Sequence, residues 1–169
     1  VKAFLPSFHS LRLKIQARIL MKSPLLLVED TPSLSMVYET VLKNAGHLVE
    51  CAFSISEARE LFSKSKNRIV LLDLLLPDGD GMELMSEFIG RQPDVKIIVI
   101  TANGSINRAV EAMRLGAFDF LVKPFDETRL RSAVDNANKA LVGEGDVPIE
   151  NADEEGFQGF IGTSDVMQG

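Results

Sequence analysis

Five short runs in this chain are apolar at nearly every position rather than at every second one. They are "PLLLVE" at 24–29, then 47–53, 68–72, "VKIIVI" at 95–100, and 118–122. A strand with one face in water alternates, so unbroken apolarity means that both faces are covered, as in a parallel sheet. Between the runs, apolar residues recur at helical spacing: Leu34, Val37, Val41 and Ala45, then Ala58, Leu61 and Phe62, then Met82, Met85 and Ile89. The pattern continues with Ala109, Ala112 and Met113, and with Leu130, Val134, Ala137 and Leu141. Gly46 and Gly116 follow two of these stretches as helix stops, and Asp80 with Glu83 has the spacing of a capping box. This strict alternation, with right-handed crossovers, predicts an α/β fold: a (βα)5 unit whose five-stranded parallel sheet carries helices on both faces.

Charge marks the ends. Residues 1–22 carry Lys2, Arg12, Lys14, Arg18 and Lys22 and no acid, whereas residues 143–169 carry seven acids and no base. The expected organisation is an N-terminal extension over 1–22, a folded unit over 23–142, an acidic linker over 143–158 and the start of a further domain over 159–169. Within the extension, Leu11, Ile15 and Ile19 suit a short helix, and Met21 is the expected start of the domain proper. A net charge of -6 gives no reason to expect nucleic acid binding by this fragment. The single cysteine, Cys51, excludes an internal disulfide and suits a reducing, cytoplasmic setting. No apolar run is long enough to span a membrane, and no secretory signal opens the chain.

In open parallel sheets, ligands bind beyond the carboxyl ends of the strands. Those ends carry Glu29 and Asp30 after the first strand, Asp73 after the third, Thr101 at the fourth and Lys123-Pro124 at the fifth. Three carboxylates meeting on one rim repel one another, and a hard divalent cation such as Mg2+ relieves the repulsion. Aspartate can also act as a nucleophile toward phosphorus, and phosphoryl transfer is mainly positioning and neutralisation of oxygen charge. Lys123 would supply a positive charge and Thr101 a hydroxyl donor. Asp78 and Asp80 in "PDGDG" read as turn and helix-capping residues, Cys51 as core, and His47 as a surface residue at a strand start.

"LLLVEDT", "LLDLLLPDGDG", "VITANGS" and "DFLVKPF" resemble, in order and spacing, the four signature blocks of the response-regulator receiver domain, over about residues 24–142. The resemblance implies a flavodoxin-like sheet of strand order 2-1-3-4-5. It implies that Asp73 accepts a phosphoryl group from a histidine kinase or histidine phosphotransfer protein, catalysing its own phosphorylation and dephosphorylation. Mg2+ would be held by Asp30, Asp73 and the Leu75 backbone carbonyl, with Glu29 acting through water. Lys123, Thr101 and Ala102 would bind the phosphate, Thr101 and Phe120 would form the switch couple, and Pro124 would follow a cis peptide bond. Leu75 and Asn103 would tune dephosphorylation. "GSINRAVEAMRLGAFDFLVKPF" is further similar to the receivers of sigma-54-dependent activators of the nitrogen-regulator and LuxO quorum-sensing types, and "GFIGTSDVMQ" to the opening of their central ATPase domain. That implies regulation of the chain's own ATPase domain, and a homodimer contact through the fourth helix, fifth strand and fifth helix.

Three other readings set the comparison. A phosphatase or hydrolase on a similar sheet would use Asp73 as nucleophile but needs a second acid two residues later, where Leu75 stands. A flavin binder needs a phosphate cradle after the first strand, where "VEDTPS" is acidic. A receiver-like interaction module that is never phosphorylated would keep the fold without the chemistry.

Overall fold

The computed structural model describes residues 7–20, 22–102 and 106–144. Helix α1 (Phe8–Leu20) precedes an alternating series: β1 (Leu25–Val28), α2 (Pro32–Asn44), β2 (Val49–Ala52), α3 (Ile55–Lys64) and β3 (Ile69–Asp73). A two-residue ribbon, β4 (Leu75–Leu76) with β5 (Gly79–Asp80), interrupts the series before α4 (Gly81–Arg91). It resumes with β6 (Lys96–Thr101), α5 (Ile106–Leu115), β7 (Asp119–Val122) and α6 (Glu127–Glu144). The main sheet runs β2-β1-β3-β6-β7, all parallel, which is the expected 2-1-3-4-5 order once the small ribbon is set aside.

The unbroken apolar runs are explained by two separate cores. Leu26, Val28, Val70, Leu72, Ile97 and Val99 point to one face, against Ala58, Phe62, Met85, Phe88 and Ala112 of α3, α4 and α5. Leu25, Leu27, Ile69, Leu71, Ile98 and Ile100 point to the other, against Tyr38 and Leu42 of α2 and Leu130, Val134 and Ala137 of α6. Each central strand thus spends its odd and even residues on opposite cores. The register carries the carboxyl ends of β1, β3, β6 and β7 to the same edge, which is where the acids, Thr101 and Lys123 emerge.

Local expectations fared unevenly. Gly46 and Gly116 stop α2 and α5 with φ of 91° and 112°, a left-handed conformation that glycine adopts without strain. Asp80 caps α4, but through the Met82 N–H, one residue earlier than a capping box uses. Val37 and Met113, assigned to buried helix faces, are 56% and 40% exposed. Both helices bury a narrower stripe than the spacing suggested, because only one side of each meets the sheet. His47 corrects the expectation of a surface residue. It is 4% exposed, since α6 covers the amino ends of β1 and β2: Asn138 of α6 accepts the Ser23 N–H at 2.9 Å, and Asp135 lies 3.9 Å from His47 Nε2.

The helix expected around Leu11, Ile15 and Ile19 spans Phe8–Leu20 and lies beside α6. Helix α6 continues two residues into the stretch expected as linker. Met21, and the remainder of the expected linker and of the following domain start, lie outside the described residues.

Candidate functional site

Glu29 follows β1 directly and is fully buried, its backbone N–H tied to the Ala52 carbonyl at 3.1 Å. One carboxylate oxygen accepts the Thr31 N–H at 3.1 Å, and the other accepts Lys123 Nζ at 2.7 Å. Asp73 closes β3 at 5% exposure. Its Oδ1 accepts the Leu75 N–H at 2.9 Å and its Oδ2 accepts the same Lys123 ammonium at 2.9 Å. Asp30, exposed on the rim, completes the group: one oxygen each from Glu29, Asp30 and Asp73 lie within 4.8 Å of one another. One ammonium therefore bridges two buried carboxylates while a third acid stands beside them.

The electrostatics follow from burial and that bridge. Desolvation pushes the Glu29 carboxyl above its ordinary range, and the Lys123 bond pulls back without cancelling it. For Lys123, burial alone would lower the value. The hydrogen bonds to Glu29 and Asp73 outweigh it, and the ammonium is held above its ordinary range. Tyr38, stacked on Phe125 with centroids 5.0 Å apart, is raised by burial and feels the charges of Lys123, Glu29 and Asp73. Sequence reasoning did not select Tyr38, because it stands outside the apolar series Leu34, Val37, Val41 and Ala45 and belongs to none of the strand-end motifs.

The remaining residues frame this cluster. Thr101 is 2% exposed at the end of β6, and its Oγ1 has no hydrogen-bond partner among the described residues. Its carbonyl accepts the Lys123 N–H at 2.8 Å, tying the two site strands together just before the cis Lys123-Pro124 bond. Ala102 is half-buried beside it, and Asn103 lies outside the described residues. Phe120 sits on β7 with its ring half-buried against the α3–α5 core. Leu75 is 56% exposed and pairs across the ribbon with Asp80.

The loop after Asp73 is held more tightly than its turn residues suggested. Asp78 reaches across to α3, accepting the Ile55 N–H at 2.8 Å and the Ser56 N–H at 3.1 Å. These bonds, the Ile55 one foremost, hold its carboxyl below the usual range. Gly81 passes so close to the strand end that a Cβ would lie 2.7 Å from Leu74 Cα and 2.8 Å from the Asp73 carbonyl oxygen.

The arrangement combines a hydrogen-bonded carboxylate, an acidic group able to hold a hard cation, a buried hydroxyl and a bridging ammonium. Those are the parts phosphoryl transfer to a carboxylate requires. Comparison with known proteins agrees with the geometry. The regulatory protein LuxO of Vibrio cholerae serotype O1 is 41% identical over 143 residues, 84% of this chain but 31% of that protein. The chain thus spans less than a third of the relative's length. The signal receiver domain of a LuxO repressor protein from Vibrio parahaemolyticus superposes with a TM-score of 0.69 at 31% identity, covering 74% of this chain and 96% of that one. The receiver domain of NtrX from Brucella abortus gives a TM-score of 0.66 at 31% identity, covering 68% and 98%. A family model described as the response regulator receiver domain matches residues 25–135, and with well over half of its length matched in this way the chain belongs to that family.

Proposed function

We propose that Asp73 is the phosphoacceptor of a two-component signalling switch, fed by a histidine kinase or a histidine phosphotransfer protein. In the transfer an Asp73 carboxylate oxygen bonds to phosphorus, the phosphorus–nitrogen bond to the donor imidazole breaks, and the leaving ring nitrogen takes up a proton. The observation that carries this reading is the Lys123 ammonium bridging Glu29 and Asp73. It is a cation at the nucleophile, placed to meet the negative charge of an incoming phosphoryl group.

The donor set suits Mg2+, since three carboxylate oxygens converge and one ammonium cannot neutralise them. Asp30, Asp73 and the Leu75 carbonyl would hold the ion, with Glu29 through water, and it would supply charge neutralisation at the phosphoryl oxygens. Thr101 and Ala102 would meet the phosphoryl group, and the buried Thr101 hydroxyl, without a partner among the described residues, supports that role because such a donor gains one when a new acceptor arrives. As Thr101 moves, Phe120 would turn inward. Leu75 and Asn103 would tune phosphate loss; the exposed Leu75 side chain has no group that could orient an attacking water.

Ile106, Val110 and Met113 form an exposed apolar stripe at i, i+4 and i+7 on α5, and this supports a homodimer or interdomain contact through α5, β7 and α6. The likeness to LuxO supports a cytoplasmic receiver that regulates the central ATPase domain of a sigma-54-dependent activator, in a quorum-sensing type of circuit. No helix among the described residues is long and apolar enough to cross a membrane. The test is intact-mass analysis after acetyl phosphate treatment. One phosphoryl group should appear with Mg2+, none with EDTA and none in Asp73→Asn, and a phosphate retained in Asp73→Asn would overturn the assignment.

A further inference from the structure

Strand β7 is an edge of the sheet, so some of its backbone groups have no neighbouring strand. Those of Phe120 are nevertheless satisfied. Its N–H donates to Asp119 Oδ1 at 2.7 Å, and its carbonyl accepts Arg129 Nη2 at 3.0 Å. Arg129 closes the arrangement by gripping both oxygens of Asp119, each at 3.1 Å. The Arg129 backbone is itself held, since its N–H donates to Asp126 Oδ1 at 2.7 Å.

Two features argue that this clamp serves geometry rather than stability. The Arg129 and Asp119 side chains are 45% and 25% exposed, and ion pairs this open contribute little. Arg129 also stands in the first turn of α6, where the helix dipole disfavours a cation. What the position does offer is a planar fork able to meet a carboxylate and a carbonyl at once, which a lysine could not provide. The clamp lies on the α6 side of β7, while the Phe120 ring packs on the opposite side, against the α3–α5 core. The ring can therefore move while the backbone beneath it is held.

We propose that Arg129 is a positioning residue of the switch. Through Asp119 and the Phe120 carbonyl it holds the β7 backbone in place, so that occupancy at Asp73 is read by the Phe120 ring rather than lost in fraying of an edge strand. This rests on the phosphorylation-switch reading above. Without the clamp the ring samples both orientations whatever the state of Asp73, and the difference between the two states shrinks.

The experiment uses beryllium fluoride with Mg2+ as the probe and amide spectra as the readout, on the whole chain. In the wild-type protein, Phe120 and the α5 amides should shift on binding. In Arg129→Ala and in Asp119→Asn the probe should still bind, while those shifts fall by about two-fold or more, since the clamp biases an equilibrium and does not create it. The double variant should be no worse than either single one, because both remove the same clamp. Arg129→Lys should recover only part of the response. A full wild-type response in Arg129→Ala or Asp119→Asn would overturn the inference alone. A wild-type protein that does not respond at all would overturn the switch reading, and the inference with it.

Discussion

At the scale of single residues, the site balances charges against a buried hydroxyl that has no partner among the described residues. Lys123 is the sole cation bonded to Glu29 and Asp73 among the described residues, and both acids are buried. Removing it leaves them uncompensated. Lys123→Ala measured in EDTA should therefore lose about 3 kcal/mol of unfolding free energy, and Mg2+ should restore much of it by replacing one cation with another. Equal stability with and without the ammonium, in denaturant titrations, would mean the acids are not charged together. Thr101 poses the opposite case. Its buried hydroxyl lacks a partner among the described residues, so Thr101→Val should raise the stability of the unphosphorylated protein by about 1 kcal/mol while abolishing the response to phosphorylation. A stability loss in that variant would show that the hydroxyl is already paired.

At the scale of elements, the loop after Asp73 is positioned from both sides, by Asp78 capping α3 and by Gly81 packed against Leu74 and the Asp73 carbonyl. A methyl group at Gly81 has nowhere to go without moving that backbone. Gly81→Ala should cost about 2 kcal/mol through overpacking and slow the modification of Asp73 by acetyl phosphate, measured as the initial rate by intact mass. A normal rate would show that the strand end tolerates the shift. The same elements mark how far the sequence was readable. The β1, β3 and β6 runs announced their sheet because parallel strands covered on both faces lose the polar alternation that water imposes. The acids, Thr101 and Lys123 were legible because topology brings strand ends together whatever the side chains between them. Asp119 and Arg129, ten residues apart on different elements, carried no such signal. Their pairing depends on how α6 lies across β7, as the burial of His47 depends on how α6 covers the start of β2. Helix faces such as Val37 and Met113 were overextended because spacing counts apolar residues, not the width of the surface that receives them.

At the scale of the whole molecule, the two ends of the sheet carry different chemistry. The carboxyl ends hold the acids, and the amino ends hold His47 beneath α6, with Lys22 and Asp135 beside it. Burial first, and then the Lys22 charge, keep the imidazole below its ordinary value of 6.5, against the pull of Asp135. The unfolded chain takes up that proton more readily than the folded one. The stability contributed by neutral His47 is therefore complete above the unfolded value and is lost as pH falls through it toward the folded value. Thermal melts between about pH 7.5 and about pH 5.5 should fall more steeply in the wild-type protein than in His47→Asn, and equal slopes would contradict this account. At the other end of the sheet, Asp73 is proposed as the single carboxylate that takes the phosphoryl group. An acyl phosphate is reduced by borohydride to the alcohol, so treating the phosphorylated chain with borohydride and mapping its peptides by mass spectrometry reads the modified residue directly. The account predicts homoserine at position 73 and nowhere else. Reduction at Glu29 or Asp30 instead, or a phosphate that resists borohydride on a serine or threonine, would contradict it.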